Sequence, residues 1–234
     1  MIDRPLNPNA ESWIEPSQLG SVVAPYVRTF TLDTEFIDNH RSYATCDRQD
    51  GLIKLDIDGW LWPEDALKLY ELAYVATGDI LELGCYNGLS TSILSQANHD
   101  SGLKKSTDSI DLAADGIRIT QGNRARKGLL TNVQLFPQEA SAYCRQSGRA
   151  GRMFDLVFID HSHAYQAVLE VCRELRPIVS PGGFCLFHDF NDERNSDPNN
   201  ADYGVAQAVA DGLDQYCFKF YGIFGCCALY RAGE

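Results

Sequence analysis

No run of about 18 apolar residues interrupts this 234-residue chain, so nothing in it reads as a membrane-spanning helix. The opening MIDRPLNPNAESW has neither the basic nor the apolar region of a signal peptide, and a cytoplasmic protein without a membrane partner is expected. Basic charge is scarce as well. Lys and Arg number 20 against 32 Asp and Glu, a net charge of −12 that argues against a phosphate-backbone partner such as DNA or RNA. The small basic group Arg118, Arg124, Arg126 and Lys127 reads as a solvated helix face. Eight cysteines are present, but none form the C-x-x-C pairs of a zinc site, and most lie in apolar segments as packed, reduced thiols. Two nucleotide signatures are also missing. There is no G-x-x-x-x-G-K-[ST] loop, and Tyr86 and Leu89 stand where a dinucleotide fingerprint needs small residues, which disfavours ATP, GTP and NAD.

What is present is the stretch Asp79-Ile-Leu-Glu82-Leu-Gly84-Cys-Tyr-Asn-Gly88-Leu-Ser90, an apolar strand that ends in an acid and two glycines before a helix opens. Glycine permits positive φ and close backbone approach, and the helix start presents unpaired N–H groups to a ligand. Glu82 at the strand end would attract a cation rather than a phosphate. A sulfonium ligand, S-adenosylmethionine, fits that chemistry.

Two further segments follow in order: Phe154-Asp-Leu-Val-Phe-Ile-Asp160-His-Ser-His163-Ala-Tyr165, and Leu175 through Pro181-Gly182-Gly183 to His188-Asp189. With these, the chain resembles the class I S-adenosylmethionine-dependent methyltransferases. Within them it resembles the small-molecule O-methyltransferases related to macrolide-sugar and cephalosporin-tailoring enzymes. The resemblance runs from about Ile57 to the C-terminus. It implies an α/β, Rossmann-like methyltransferase fold: a seven-stranded, mostly parallel sheet with a C-terminal antiparallel hairpin and helices on both faces.

The residues themselves support that layout. Residues 1–55, rich in Pro, Asp, Asn and Thr, read as an irregular arm or lid whose aromatics (Trp13, Tyr26, Phe30, Phe36, Tyr43) pack on the domain. One domain over residues 56–234 follows. Pro63 with Glu64 and Asp65 starts a helix with Leu67, Tyr70, Ala73 and Tyr74 at helical spacing. Strands are expected at Ile80–Leu83, Ser109–Leu112, Val133–Phe136, Leu156–Asp160 and Phe184–Phe187. Helices are expected near Ser90–Gln96, Asp115–Arg126, Glu139–Gln146, Tyr165–Arg176 and Tyr203–Gln215. The last run, Phe218 to Tyr230, leaves no room for a crossover helix and reads as an edge hairpin.

Ligands in open α/β sheets collect at the carboxyl ends of the strands. Glu82, Gly84, Gly88 and Ser90 are therefore candidate cofactor residues, and Asp111 can accept both ribose hydroxyls. Glu139, where the family usually contacts adenine, is equally explicable as an acid in a helix's first turn. Asp160 ends an apolar strand and belongs at the cofactor cleft. Three of five histidines, His161, His163 and His188, share that rim with Asp160 and Asp189. The resemblance implies a divalent metal, usually magnesium, on Asp160 and Asp189. His188 then stands where relatives often carry another carboxylate, and Ser162 where sugar-modifying relatives place a candidate base. Histidine suits manganese, iron or zinc better than magnesium. His163, with Asp160, is the first choice for catalysis as general base, and His161 and His188 are rivals. Trp60 and Trp62 suit a substrate lip, and residues 191–202 a mobile loop beside it.

The expected activity is transfer of a methyl group from S-adenosylmethionine to a hydroxyl of a small molecule, with or without metal assistance, in a chain that could form a homo-oligomer. Two alternatives stand beside it. One is a metal-dependent oxygenase using His161, His163 and Asp189, and the other a non-catalytic cofactor-binding module.

Overall fold

The computed structural model describes residues 48–49, 52–53, 56–126, 132–197 and 199–233. Most of the expected arm and its aromatics lie outside these residues. Within them, a short ladder pairs β1 (Arg48–Gln49) with β2 (Leu52–Ile53).

Helix α1 (Pro63–Val75) starts where Pro63 and the first-turn acids predict, and the Asp65 carboxylate accepts the Trp62 backbone N–H at 2.8 Å. Its interior is buried almost all round, including Lys68, which pairs with Glu71 at 2.5 Å. The chain then alternates strand and helix. In order these are β3 (Ile80–Leu83), α2 (Leu89–Asp100), β4 (Thr107–Asp111), α3 (Ala114–Arg126), β5 (Val133–Pro137), α4 (Ala140–Arg149), β6 (Phe154–Ile159) and α5 (Tyr165–Glu174). There follow β7 (Val179–Phe187), α6 (Val205–Gly212), β8 (Phe218–Phe224) and β9 (Cys227–Ala232).

The expected elements are found, with shifted ends that have local causes. Helix α5 stops at Glu174, before Pro177, whose ring disfavours helical backbone in the residue ahead of it. Helix α6 is confined between Gly204 and Gly212. Strand β7 begins five residues early, because Val179 pairs with Phe154 before a bulge resets the register at Leu156 and Phe184. One expectation is corrected: Arg124, read as part of a solvated face, is buried.

The seven strands run in the order β5-β4-β3-β6-β7-β9-β8, parallel except for β9, which is antiparallel to both neighbours. Alternate residues serve opposite faces. Leu81, Leu83, Val157, Ile159, Cys185 and Phe187 belong to one core, with α4, α5 and α6. Ile80, Leu156, Phe158, Phe184 and Leu186 belong to the other, with α1 and α2. Strand order reverses between β3 and β6, which opens a crevice at their carboxyl ends.

Candidate active site

The crevice exists because two glycines allow it. Gly84 follows β3 at φ +94°, and a Cβ there would lie 2.0 Å from the Asp160 carbonyl oxygen, so the tips of β3 and β6 meet only at glycine. Gly88 caps α2 at φ +89°, where a Cβ would come within 2.7 Å of the Thr120 Cγ2. Between them Tyr86 takes the unusual φ of 44°. Asp111, at the end of β4, holds this turn: its carboxylate accepts the backbone N–H groups of Tyr86 (2.8 Å) and Cys85 (3.1 Å), and of Ala113 (2.8 Å).

Glu82 lies behind the loop and lines neither of the two cavities at the crevice. Ser90 (2.5 Å), Thr91 (2.6 Å) and Ser109 donate hydroxyl hydrogen bonds to its carboxylate. Ser109 reaches it because β3 and β4 pair Glu82 with Ser109 in register. Burial pushes the Glu82 carboxyl up to about 7, against the pull of those three donors.

Two chambers meet here. One of about 440 Å³ lies over the ends of β4, β5 and β6, lined by Asp111, Leu112, Gln138, Glu139 and His161 among others. The other, about 480 Å³, lies over β3, β6 and β7 and takes in Trp62, Ser90, His188, Asp189, Arg194 and Tyr203. Trp60, Gly84, Tyr86, Asp160 and His163 line both. At this shared wall the Trp60 and Tyr86 rings lie 5.2 Å apart, and both are exposed.

In the first chamber the Glu139 carboxylate caps α4, accepting from the Ser141 and Ala142 N–H groups at 2.8 and 2.7 Å. Burial opposes its charge, yet those donors hold its carboxyl below the ordinary value. Burial lowers His161 to about 4, so it is a neutral imidazole, and its Nε2 has no hydrogen-bond partner among the described residues.

In the second chamber His163 Nε2 lies 3.0 Å from Asp189 Oδ2 and 3.6 Å from Asp160 Oδ1. Its ring stacks on Tyr203 at 4.9 Å, and the Arg194 guanidinium covers Tyr203 at 3.9 Å. Burial works against the charges of Asp160 and Asp189, but His188 and His163 override it and keep both carboxyls low. Asp189 adopts the unusual φ of 55°, and its carboxylate meets His163 at the rim. His188 turns Nε2 away from the chamber toward Asp65 and Cys226. Its Nδ1 lies 3.0 Å from Asp160 Oδ1 but off the line of a good hydrogen bond.

Sequence reasoning missed Tyr203, Arg194 and Asp192. Asp192 and Arg194 come from the stretch read as a mobile loop, where Asp192 caps a 3-10 turn at Glu193–Ser196 and pairs with Arg194 at 2.6 Å, and Tyr203 was expected only as the start of a helix that begins at Val205. The facial set imagined for an oxygenase is not assembled, since His161 faces the first chamber and His163 the rim. Ser162 is exposed.

A profile described as a methyltransferase domain matches residues 81–190. Comparison with curated protein sequences finds no match. Among solved structures, the O-methyltransferase TomG from Streptomyces achromogenes, in complex with S-adenosylmethionine, superposes with a TM-score of 0.61. It is 17% identical, over 85% of this chain and 96% of that one. The O-methyltransferase from Bacillus cereus, in complex with S-adenosylhomocysteine, gives a TM-score of 0.57 at 15% identity, over 94% and 96% of the two chains. Cofactor-bound Rv0187 from MTB gives 0.58 at 17% identity, over 86% and 91%. Residues 81–190 thus match a methyltransferase-domain profile, and the chain shares its fold with these methyltransferase structures.

Proposed function

We propose that the protein transfers the methyl group of S-adenosylmethionine to a hydroxyl of a small molecule. The observation that carries this reading is the shared wall of the two chambers. A cofactor seated over Asp111 and His161 in the first chamber would bring its sulfonium past Gly84 to Trp60, Tyr86 and Asp160, where the second chamber begins. Two aromatic faces and a carboxylate favour a cation at that point. Asp111 would hold the ribose with its remaining lone pairs, and the unpaired His161 Nε2 would meet a polar edge of the nucleoside. Glu82 and Ser90 would act through the loop they brace, and Glu139 through the helix it caps.

The acceptor would occupy the chamber of about 480 Å³, a volume suited to a small molecule. Its hydroxyl passes a proton to His163 Nε2 as its oxygen attacks the methyl carbon. The S–CH3 bond breaks, the electron pair returns to sulfur, and a methyl ether and S-adenosylhomocysteine leave. Asp160 and Asp189 face the nitrogen that takes the proton.

Asp160, Asp189 and His163 each offer a ligand atom within 4.8 Å of the others, a set of two oxygens and one nitrogen that suits manganese or iron better than magnesium. Bound there, a divalent ion would clamp the acceptor oxygen and lower its pKa, and His163 would then serve as a ligand in place of its role as proton acceptor.

Calorimetric titration with S-adenosylmethionine and S-adenosylhomocysteine, with and without manganese or magnesium, tests the cofactor. Micromolar binding that Asp111→Ala weakens supports the reading, and no binding in any condition sinks it. A panel of hydroxylated acceptors then reads methyl transfer directly.

A further inference from the structure

Behind the rim lies a second cluster that methyl transfer does not use. Asp65 on α1, His188 at the end of β7, and Cys226 and Cys227 at the start of β9 are all buried, and each offers a ligand atom within 4.8 Å of the others. Three edges of the set are short. His188 Nε2 lies 3.2 Å from Cys226 Sγ and 3.4 Å from Asp65 Oδ2, and Cys226 Sγ lies 3.3 Å from Asp65 Oδ2. Tetrahedral zinc with sulfur at about 2.3 Å and nitrogen or oxygen at about 2.0–2.2 Å has edges of roughly 3.4–3.6 Å between such ligands.

We propose that Asp65, His188, Cys226 and Cys227 form a buried tetrahedral site for a divalent cation of the zinc class, tying α1 to the β8–β9 hairpin behind the catalytic rim. The donors decide the metal class. Two sulfurs and one imidazole select a borderline-soft ion, whereas the oxygen-rich rim does not.

The surroundings are those of a supported site. Asp65 Oδ1 accepts the Cys226 backbone N–H at 2.9 Å and Oδ2 accepts that of Trp62 at 2.8 Å, so the carboxylate is fixed from both sides. It fits because the turn residue is Gly225, at φ +61°, where a Cβ would stand 2.2 Å from Asp65 Oδ1. On the far side of the His188 ring, Nδ1 lies 3.0 Å from Asp160 Oδ1, so a small turn of either side chain would complete the carboxylate–histidine–metal arrangement that orients a ligand. A proton on His188 between Asp65 and Asp160 would account for the carboxylates alone. It gives no reason for two consecutive buried thiols that both bring sulfur within 4.8 Å of the same ring and carboxylate.

The inference does not depend on the methyl-transfer reading. The test uses the full chain without a histidine tag, purified in metal-free buffer. We expect about one equivalent of zinc by elemental analysis, resistant to a mild chelator, and cobalt substitution giving thiolate charge-transfer and tetrahedral d–d absorption. The double variant Cys226→Ser/Cys227→Ser should lose the metal, while Asp189→Ala, which breaks the rim set, should keep it. The wild-type cobalt spectrum decides the matter even where the double variant fails to fold. The proposal is overturned by wild-type protein that takes up neither zinc nor cobalt, by cobalt bound without thiolate bands, or by metal that survives the double substitution and is lost in Asp189→Ala.

Discussion

His163 Nε2 lies 3.0 Å from Asp189 Oδ2, and the same ring stacks on Tyr203 at 4.9 Å. The pair comes from two different strand ends, with the ring's orientation fixed by a third segment. If this ring takes the acceptor proton, His163→Gln lowers kcat by about 10²–10⁴-fold, the usual worth of a positioned general base. S-adenosylmethionine affinity should stay within a few-fold, because His163 makes no bond to the glycine loop. Single-turnover rates and calorimetry on the same preparation separate the two effects. Equal loss in both would assign His163 to binding instead.

Asp111→Ala removes three charge-assisted bonds, to Cys85, Tyr86 and Ala113, and with them the support for the positive φ at Tyr86. Hydrogen bonds to a charged group contribute about 1.5–3 kcal/mol each when exposed to deletion, so cofactor affinity should fall at least ten-fold. Asp111→Asn keeps one acceptor oxygen and should fall less. Calorimetric Kd values for both variants check the order.

Much of this site was readable before the fold was known, and for a physical reason. A parallel strand buried on both faces is an apolar run, so a charge at its end must meet a cleft, and Asp111, Asp160 and Asp189 all do. What sequence could not supply is register and side-chain direction. Ser90 and Thr91 lie eight and nine positions after Glu82, across the glycine loop, but the third donor, Ser109, is set by strand pairing. The contact between Asp65 and the Cys226 N–H spans 161 positions, and no local pattern announces it. Adjacency in the chain groups His188 with Asp160 and Asp189, yet its Nε2 faces the other way, leaving His163 to complete the compact rim set.

Trp60 should discriminate between cofactor and product. Its ring sits with Tyr86 where both chambers meet, and in the proposed pose only S-adenosylmethionine would place a positive charge there. A cation over an aromatic face is worth about 0.5–2 kcal/mol, roughly 2–30-fold in affinity. Trp60→Ala should therefore weaken S-adenosylmethionine more than S-adenosylhomocysteine, and Trp60→Phe should recover part of the difference. Parallel titrations of both ligands read the ratio, and an unchanged ratio would remove Trp60 from the sulfonium's surroundings.

Glu82 gives the fold a pH dependence of definite sign. Burial raises its carboxyl from 4.5 to about 7, so the folded state holds this proton more tightly than the unfolded chain does. Stability from this group is fully present below about 4.5 and is lost as pH rises toward 7, where the buried carboxylate must form against the cost of desolvation. Above 7 the loss is complete and the slope disappears, at a total of about 3 kcal/mol for a shift of that size. Glu82→Gln carries no titrating proton and keeps a carbonyl oxygen for Ser90, Thr91 or Ser109. Its melting temperature, measured from pH 5 to 8 beside the wild type, should fall less across the window from 5 to 7 and run parallel above it. Curves parallel throughout would mean that the three hydroxyl donors already hold Glu82 ionised at pH 5, and that the loop is braced by a permanent charge.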